Sequence, residues 1–312
     1  MPNVPDYSQY VAVKKLGVAQ TVNTNTSIVK SRAAYRFDGY FPMYKGISLP
    51  TNALLSNKFR YIPPPPPPPP PFAPSDLPNL TLWLDAADIY TLTLSGSDVI
   101  TWTDKSSVQN SYTQSSSGSR PVYQLDPVFG FNGLLFDGVS DNLQPVDNTK
   151  RSVNSSIWNV FFVSRFTGNV DNFMTVYRGF ITGLWARYRV DMTKWSFYNL
   201  NTDVEYVQSS ANARGIFSEV NYTTEHTVYQ NGSQIGTAVP IPPVNVQSDW
   251  ITLGGNGSNA NENMTGYIFE FIIYNGSVLT TLERQKVEGY LAWKWGLQST
   301  LPANHPYKNA KP

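Results

Sequence analysis

Asp203 and Glu205 stand two residues apart, so a β-strand through them would hold two carboxylates on one face. Retaining glycosidases need such a pair, about 5 to 5.5 Å apart, one acid for the leaving group and one nucleophile. The surrounding residues carry no Glu-x-Asp-x-x-Glu strand, and the other acids stand mostly alone. Nucleophilic chemistry has even less to work with. There is no cysteine, the only histidines are His226 and His305, and no Gly-x-Ser-x-Gly elbow occurs. The chain is expected not to be an enzyme, with both histidines structural or at the surface. Gly254-Gly255-Asn256-Gly257 lacks the Gly-Lys-Ser/Thr of a phosphate loop and reads as a turn.

Binding chemistry is better supplied. Trp185, Tyr188, Trp195 and Tyr198 fall within a short span, interleaved with Arg187, Arg189, Asp191 and Asn199. Aromatic faces for the apolar side of a sugar ring and polar groups for its hydroxyls are what a saccharide site requires. These four aromatics are the candidate ligand-binding residues. Alternation puts Trp195 and Phe197 on one strand face and Ser196 and Tyr198 on the other. Asp137, Asp141 and Asn142, in the turn Asp137-Gly138-Val139-Ser140-Asp141-Asn142, offer oxygens to a calcium ion. The competing reading is an Asx turn. No cofactor is otherwise expected.

The elements that must position these residues lie beyond Pro63 to Pro71, an unbroken run of nine prolines. Proline fixes φ and removes a donor, so the run joins neither a helix nor a central strand. As a polyproline II rod, at about 3.1 Å per residue, it spans about 28 Å. Residues 63–76 are read as a stalk, and residues 1–62 as an extended anchoring arm. Tyr35, Phe37, Tyr40, Phe41 and Tyr44 crowd one stretch of that arm, and Gln20 to Val29 is Thr/Val-rich with little charge. Such a segment suits ordering on a partner.

Residues 77–312 break into short β-like segments separated by turn residues: Leu80 to Leu84, Val99 to Trp102, Gly133 to Phe136, Trp158 to Ser164, Trp195 to Tyr198, Glu225 to Gln230, Trp250 to Leu253 and Tyr267 to Tyr274. The last is apolar throughout but for Glu270, the pattern of a strand buried on both faces. Thr280-Thr281-Leu282-Glu283 is a capping box, followed at helical spacing by Val287, Tyr290, Leu291 and Trp295. The expected fold is all-β, a two-sheet antiparallel sandwich closed by one C-terminal amphipathic helix whose apolar stripe runs from Leu282 to Trp295.

Composition excludes several classes. A net charge of +1 with 14% charged residues gives no basic stripe, so nucleic acid is not expected. Without cysteine there are no disulfides, and stability rests on packing. Met1-Pro2-Asn3-Val4-Pro5-Asp6 shows no basic n-region or apolar h-region, and no apolar run reaches the ~18 residues of a membrane span. A soluble chain made in a cytosol is the expectation. Sequons such as those at Asn231 and Asn256 coincide with Asn-Gly turns, which explain them without glycosylation.

Leu82-Trp83-Leu84-Asp85-Ala86-Ala87-Asp88, Val99-Ile100-Thr101-Trp102-Thr103-Asp104-Lys105-Ser106, Leu135-Phe136-Asp137-Gly138 and Gly289-Tyr290-Leu291-Ala292-Trp293-Lys294-Trp295-Gly296 together resemble the concanavalin A-like (laminin G-like) lectin/glucanase domains of viral, phage and bacterial surface proteins. The resemblance covers about residues 78 to 308 and implies a jelly-roll sandwich, with Trp83, Trp102 and Phe136 packing its core. Together with the arm and stalk it leads to the expectation of a non-catalytic virion surface or assembly protein of the minor capsid or fibre type. Such a protein would be synthesised in a host cytoplasm, anchored to other virion subunits through residues 1–62, and would display a lectin-like head. The alternatives are a carbohydrate-binding module for cell-surface glycans and, from another class, a glycoside hydrolase. Homo-oligomerisation stays open, since no heptad argues for it.

Overall fold

β-branched and aromatic side chains fill Thr265–Asn275, and this segment forms the long central strand β17, buried along all but its first residue. The computed structural model describes residues 71–150, 153, 157–167, 174–179, 185–188, 194–199, 202–207, 214–222, 225–240, 251–255 and 263–312. The expected arm, including Tyr35, Phe37, Tyr40, Phe41 and Tyr44, and the proline run up to Pro70 lie outside the described residues. The chain divides into two compact units, Met1–Pro69 and Pro70–Pro312. Every described residue belongs to the second.

That unit is an all-β antiparallel sandwich with one α-helix. The larger sheet holds β1 (Leu80–Asp85), β2 (Leu92–Ser95), β3 (Asp98–Trp102), β4 (Tyr112–Thr113), β5 (Val122–Leu125), β6 (Asn132–Asp137), β7 (Gln144–Pro145), β8 (Trp158–Phe166), β13 (Arg214–Asn221), β14 (Glu225–Gln230), β15 (Ser233–Pro240) and β17. Its order is β15-β14-β13-β8-β17-β6-β5-β3-β4-β7, with β1 on β17 and β2 on β3. One edge of β17 is shared, β6 pairing with residues 265–268 and β1 with residues 270–274. The smaller sheet is β12-β11-β10-β9-β16, from β9 (Met174–Gly179), β10 (Trp185–Tyr188), β11 (Lys194–Asn199), β12 (Thr202–Val207) and β16 (Ile251–Leu253).

One core fills the space between the sheets. There Phe162 stacks on Phe217 and Phe271 at ring separations of 5.1 and 6.0 Å, and Tyr177 of the smaller sheet meets Phe271 edge-on. Trp102 and Phe136 are buried in this layer. A second core lies between the outer face of the larger sheet and α1 (Thr281–Lys294), with Trp83, Phe269, Tyr274, Val287, Leu291 and Trp295. Each fully buried ring contributes on the order of 2 kcal/mol.

The helix begins where its capping box predicts. Thr280 Oγ1 accepts from the Glu283 amide, and Glu283 Oε2 accepts from the Thr280 amide at 2.8 Å. The expected apolar stripe needs one correction, because Leu282 is 53% exposed. At about 100° per residue, Leu282 sits nine positions and half a turn away from buried Leu291. Leu282 therefore faces outward, and the buried stripe is Arg284, Val287, Glu288, Leu291 and Ala292.

Packing of the chain on the sandwich starts at Phe72, inside the segment expected to be stalk. Its ring meets Tyr290 edge-on at 6.2 Å, Pro74 is buried, and the Tyr274 hydroxyl donates to the Pro74 carbonyl at 2.8 Å. Among the described residues no helix is long and apolar enough to cross a membrane.

Candidate functional site

The charged residues of the β1 and α1 motifs converge on the buried face of β17. Simple alternation from Ile268 would aim Glu270 into the inter-sheet core with it. The β17–β8 register shifts between Ile268 and Glu270, and this bulge turns Glu270 to the helix side with Phe269. There its Oε1 accepts from Trp83 Nε1 at 2.8 Å and from the Tyr290 hydroxyl at 2.9 Å. Its Oε2 accepts from Trp295 Nε1 at 2.7 Å and meets Lys294 Nζ at 2.7 Å. Complete burial pushes the Glu270 carboxyl above its ordinary range, against the pull of Lys294 and with the nearby charge of Asp85.

From Glu270 the charges alternate outward. Lys294 Nζ also reaches Asp85 Oδ1 at 2.5 Å, and Asp85 Oδ2 meets Lys105 Nζ at 3.0 Å. Lys105 goes on to Asp88 Oδ2 at 2.9 Å and lies 4.4 Å from the centre of the Trp83 ring. Burial lowers the Lys105 pKa, but its bonds to Asp88 and Asp85 outweigh that and leave it raised. The hydrogen bond from Lys105 lowers the Asp88 pKa. Two carboxylates on one ammonium are the kind of close pair a retaining glycosidase uses. Here the ammonium occupies the space between them, Glu270 has no exposed surface, and two indoles cap it. The arrangement clamps β1, β17 and α1 together.

The other buried acids are committed in the same way. Glu219 pairs with His226 Nε2 at 2.7 Å and accepts from the Tyr177 hydroxyl. Glu288 accepts from Ser218 Oγ at 2.8 Å and Arg284 Nη1 at 2.5 Å, and pairs with His305 Nε2 at 3.3 Å. Ser218, Glu288 and His305 are the types of a hydrolase triad in the wrong order. The carboxylate stands between serine and histidine, so the imidazole does not reach the hydroxyl. Both histidines are buried and structural.

Beside the clamp lies a pocket of about 270 Å³, lined by Tyr123 and Leu125 of β5, Phe131 and Asn132 where β6 begins, and Trp295 after α1. Trp295, fixed through its indole nitrogen by Glu270, meets Phe131 edge-on at 5.5 Å. The loop carrying Phe131 is stapled by buried Asp126. The Asp126 amide donates to the Phe131 carbonyl at 2.9 Å, its Oδ1 accepts from the Val128 amide at 2.9 Å, and Arg165 grips its carboxylate through Nε and Nη2. Gly130, at φ +78°, supplies the left-handed step that closes this loop.

The residues expected to bind ligand lie elsewhere. The β10–β11 register sets Trp185 opposite Tyr198 and Tyr188 opposite Trp195. Positions directly opposite share a face and neighbours along a strand alternate, so the four residues form two cross-strand pairs on opposite faces. Asp203 and Glu205, on β12, pair with Tyr198 and Ser196 of β11. Of these residues only the backbone placement belongs to the described structure.

Asp137, Asp141 and Asn142 do share one turn, but their oxygens serve the turn itself. Asp137 Oδ1 accepts from the amides of Val139, Ser140 and Asp141, and Asp141 Oδ2 from the amide of Asp137. Asn142 Oδ1 accepts from Gln114 and Gln144. Among the described residues no group of three or more histidine, aspartate or glutamate side chains is arranged to hold a metal ion. Burial and the charge of Asp137 push the Asp141 carboxyl up to about 7.

No protein-family model and no curated sequence matches the chain. Solved structures do. A Trypanosoma rangeli sialidase in complex with 2,3-difluorosialic acid is similar at a TM-score of 0.50 and 13% identity, over 69% of this chain and 33% of that one. The likeness is one of fold alone. The botulinum neurotoxin serotype D binding domain is similar at a TM-score of 0.48 and 15% identity, over 67% and 50% of the two chains. The chain thus spans about a third of the sialidase it matches.

Sequence reasoning missed the pocket because its lining comes from three separated segments. Phe129-Gly130-Phe131 reads as a turn, and nothing local in it distinguishes a pocket wall from an ordinary turn.

Proposed function

We propose that the described sandwich is a non-catalytic, concanavalin A-like head that binds glycans. The carrying observation is the fate of the buried carboxylates. Asp85, Asp126, Glu219, Glu270 and Glu288 are each bonded to internal partners, Asp141, raised to about 7, is tied to the Asp137 amide in its own turn, and an aromatic-lined pocket opens beside Glu270. Locked acids cannot exchange protons with a substrate, whereas fixed aromatic rings are suited to holding one.

In this reading the nine-proline run is a spacer, and residues 1–62 join the head to other subunits of a larger assembly. A virion surface is the proposed setting, with the chain made in a host cytoplasm and acting as a minor capsid or fibre component. A purely architectural head is the second reading, favoured by the extent to which the sequence motifs are spent on the clamp.

Incubation of the full chain with a panel of fluorescently labelled oligosaccharides tests the proposal. Retention of intact sugars is expected. Time-dependent release of shortened product would overturn the non-catalytic assignment, and absence of retention across the panel would leave the architectural reading.

A further inference from the structure

We propose that the pocket between Tyr123, Phe131 and Trp295 is a subsite for one uncharged hexose-type ring; this rests on the glycan-binding reading and assigns its site and ligand class. A volume of about 270 Å³ falls just below the range of pockets that enclose drug-sized ligands, and suits one ring.

The three aromatic groups are set before any ligand arrives. Trp295 has its indole N–H on Glu270, Phe131 packs edge-on against it at an interplanar angle of 81°, and the Tyr123 hydroxyl donates to the Ala86 carbonyl at 3.3 Å. Trp295 is buried and closes the pocket from below, so the partly exposed rings of Tyr123 and Phe131 are the surfaces a ligand meets. Rings fixed in this way lose little entropy on binding.

Asn132 supplies the polar contact. It is exposed at the first position of β6, and its side-chain amide has no hydrogen-bond partner among the described residues. An amide offers two donors and one acceptor, which matches adjacent ring hydroxyls.

The restriction to a neutral ring follows from where the charges are. No carboxylate, ammonium, guanidinium or imidazole lines the pocket. The nearby cations are consumed, Lys294 by Asp85 and Glu270, Lys105 by Asp85 and Asp88, and Arg165 by Asp126. A carboxylated sugar would shed water from its charge and find no counterion.

Saturation-transfer NMR on the full chain, with the methyl glycosides of glucose, galactose, mannose and N-acetylglucosamine beside N-acetylneuraminic acid and a nonaproline peptide, tests this. The expected result is saturable binding of at least one neutral glycoside, weakened tenfold or more by Asn132→Ala and by Phe131→Ala and unchanged by Leu282→Ala on the exposed face of α1. Asn132→Ala breaks no internal bond, so its folded state is secure even if Phe131→Ala unfolds the loop. Neutral binding that survives both pocket variants would overturn the pocket and leave the glycan reading standing. Preference for N-acetylneuraminic acid or for the nonaproline in this pocket would overturn the ligand class. Failure of every sugar to bind would remove the glycan reading itself.

Discussion

Glu270 and Trp295 are joined by a 2.7 Å hydrogen bond from the indole nitrogen to Oε2, and this bond links the most buried carboxylate of β17 to the floor of the pocket. The same carboxylate holds Trp83 and Lys294, so it fixes the first strand and the last helix at once.

Removing that carboxylate is costly. Glu270→Ala leaves two indole donors and an ammonium facing a void, and a loss of about 3 to 5 kcal/mol is expected. Glu270→Gln keeps one acceptor and loses less. Urea unfolding of the two variants measures the difference, and a Glu270→Ala protein as stable as its parent would show that the clamp does not hold the fold.

Asp141 should make stability depend on pH. Its native pKa, about 7, lies above the unfolded 3.8, so the folded chain binds the proton more tightly and stability falls as pH climbs through that window. Asp141→Asn keeps an oxygen for the Asp137 amide and removes the titration. The melting temperature of the variant relative to the parent should rise between about pH 4 and 7 and level off above it. A constant difference across that range would contradict the assignment.

Gly289 lies under the C-terminal tail. A Cβ there would stand 2.5 Å from Tyr307 Cβ and 2.8 Å from Cγ. The tail has little freedom to retreat, because Trp293 Nε1 donates to the Tyr307 carbonyl at 2.8 Å. Gly289→Ala gains up to about 1 kcal/mol of helix propensity. Overpacking of about 1 to 3 kcal/mol should more than offset it. A lowered denaturation midpoint is the expected readout, and a raised one would mean the tail moves aside.

Tyr274 ties the start of the head to its core. Tyr274→Phe removes the bond to the Pro74 carbonyl and leaves it only the longer bond from the Leu77 amide, an expected cost of about 1 kcal/mol. Faster amide exchange at Asp76 and Leu77, whose N–H groups bond to Ala73 and Pro74, would report the loosened segment. Unchanged exchange would show that Phe72 packing alone suffices.

How much of this was legible varied with the kind of signal. The apolar run of β17 marked a doubly buried strand, and Thr280 with Glu283 marked the helix start, because both are local patterns. Glu270 was visible as the one charge in that run, but its direction depends on a bulge that alternation cannot foresee. Leu282 passed for a core residue because it lies near the cap, where spacing to later positions is least constraining. Strand β13 was missed because Ser218 and Glu219 interrupt its apolar pattern, and of their partners Glu288 lies far off in sequence, Tyr177 is on the other sheet and His226 comes alongside only when β14 pairs with β13. For the candidate site, the Asx turn at Asp137 was readable from its residues, while the pocket had to await the meeting of β5, β6 and the residue after α1.

The most direct measurement is a crystal structure of the full chain soaked with a neutral oligosaccharide that it retains. An intact sugar is expected, with one ring seated between Tyr123 and Phe131 above Trp295 and within hydrogen-bond reach of the Asn132 amide. A cleaved product, or a sugar bound elsewhere with this pocket empty, would contradict it.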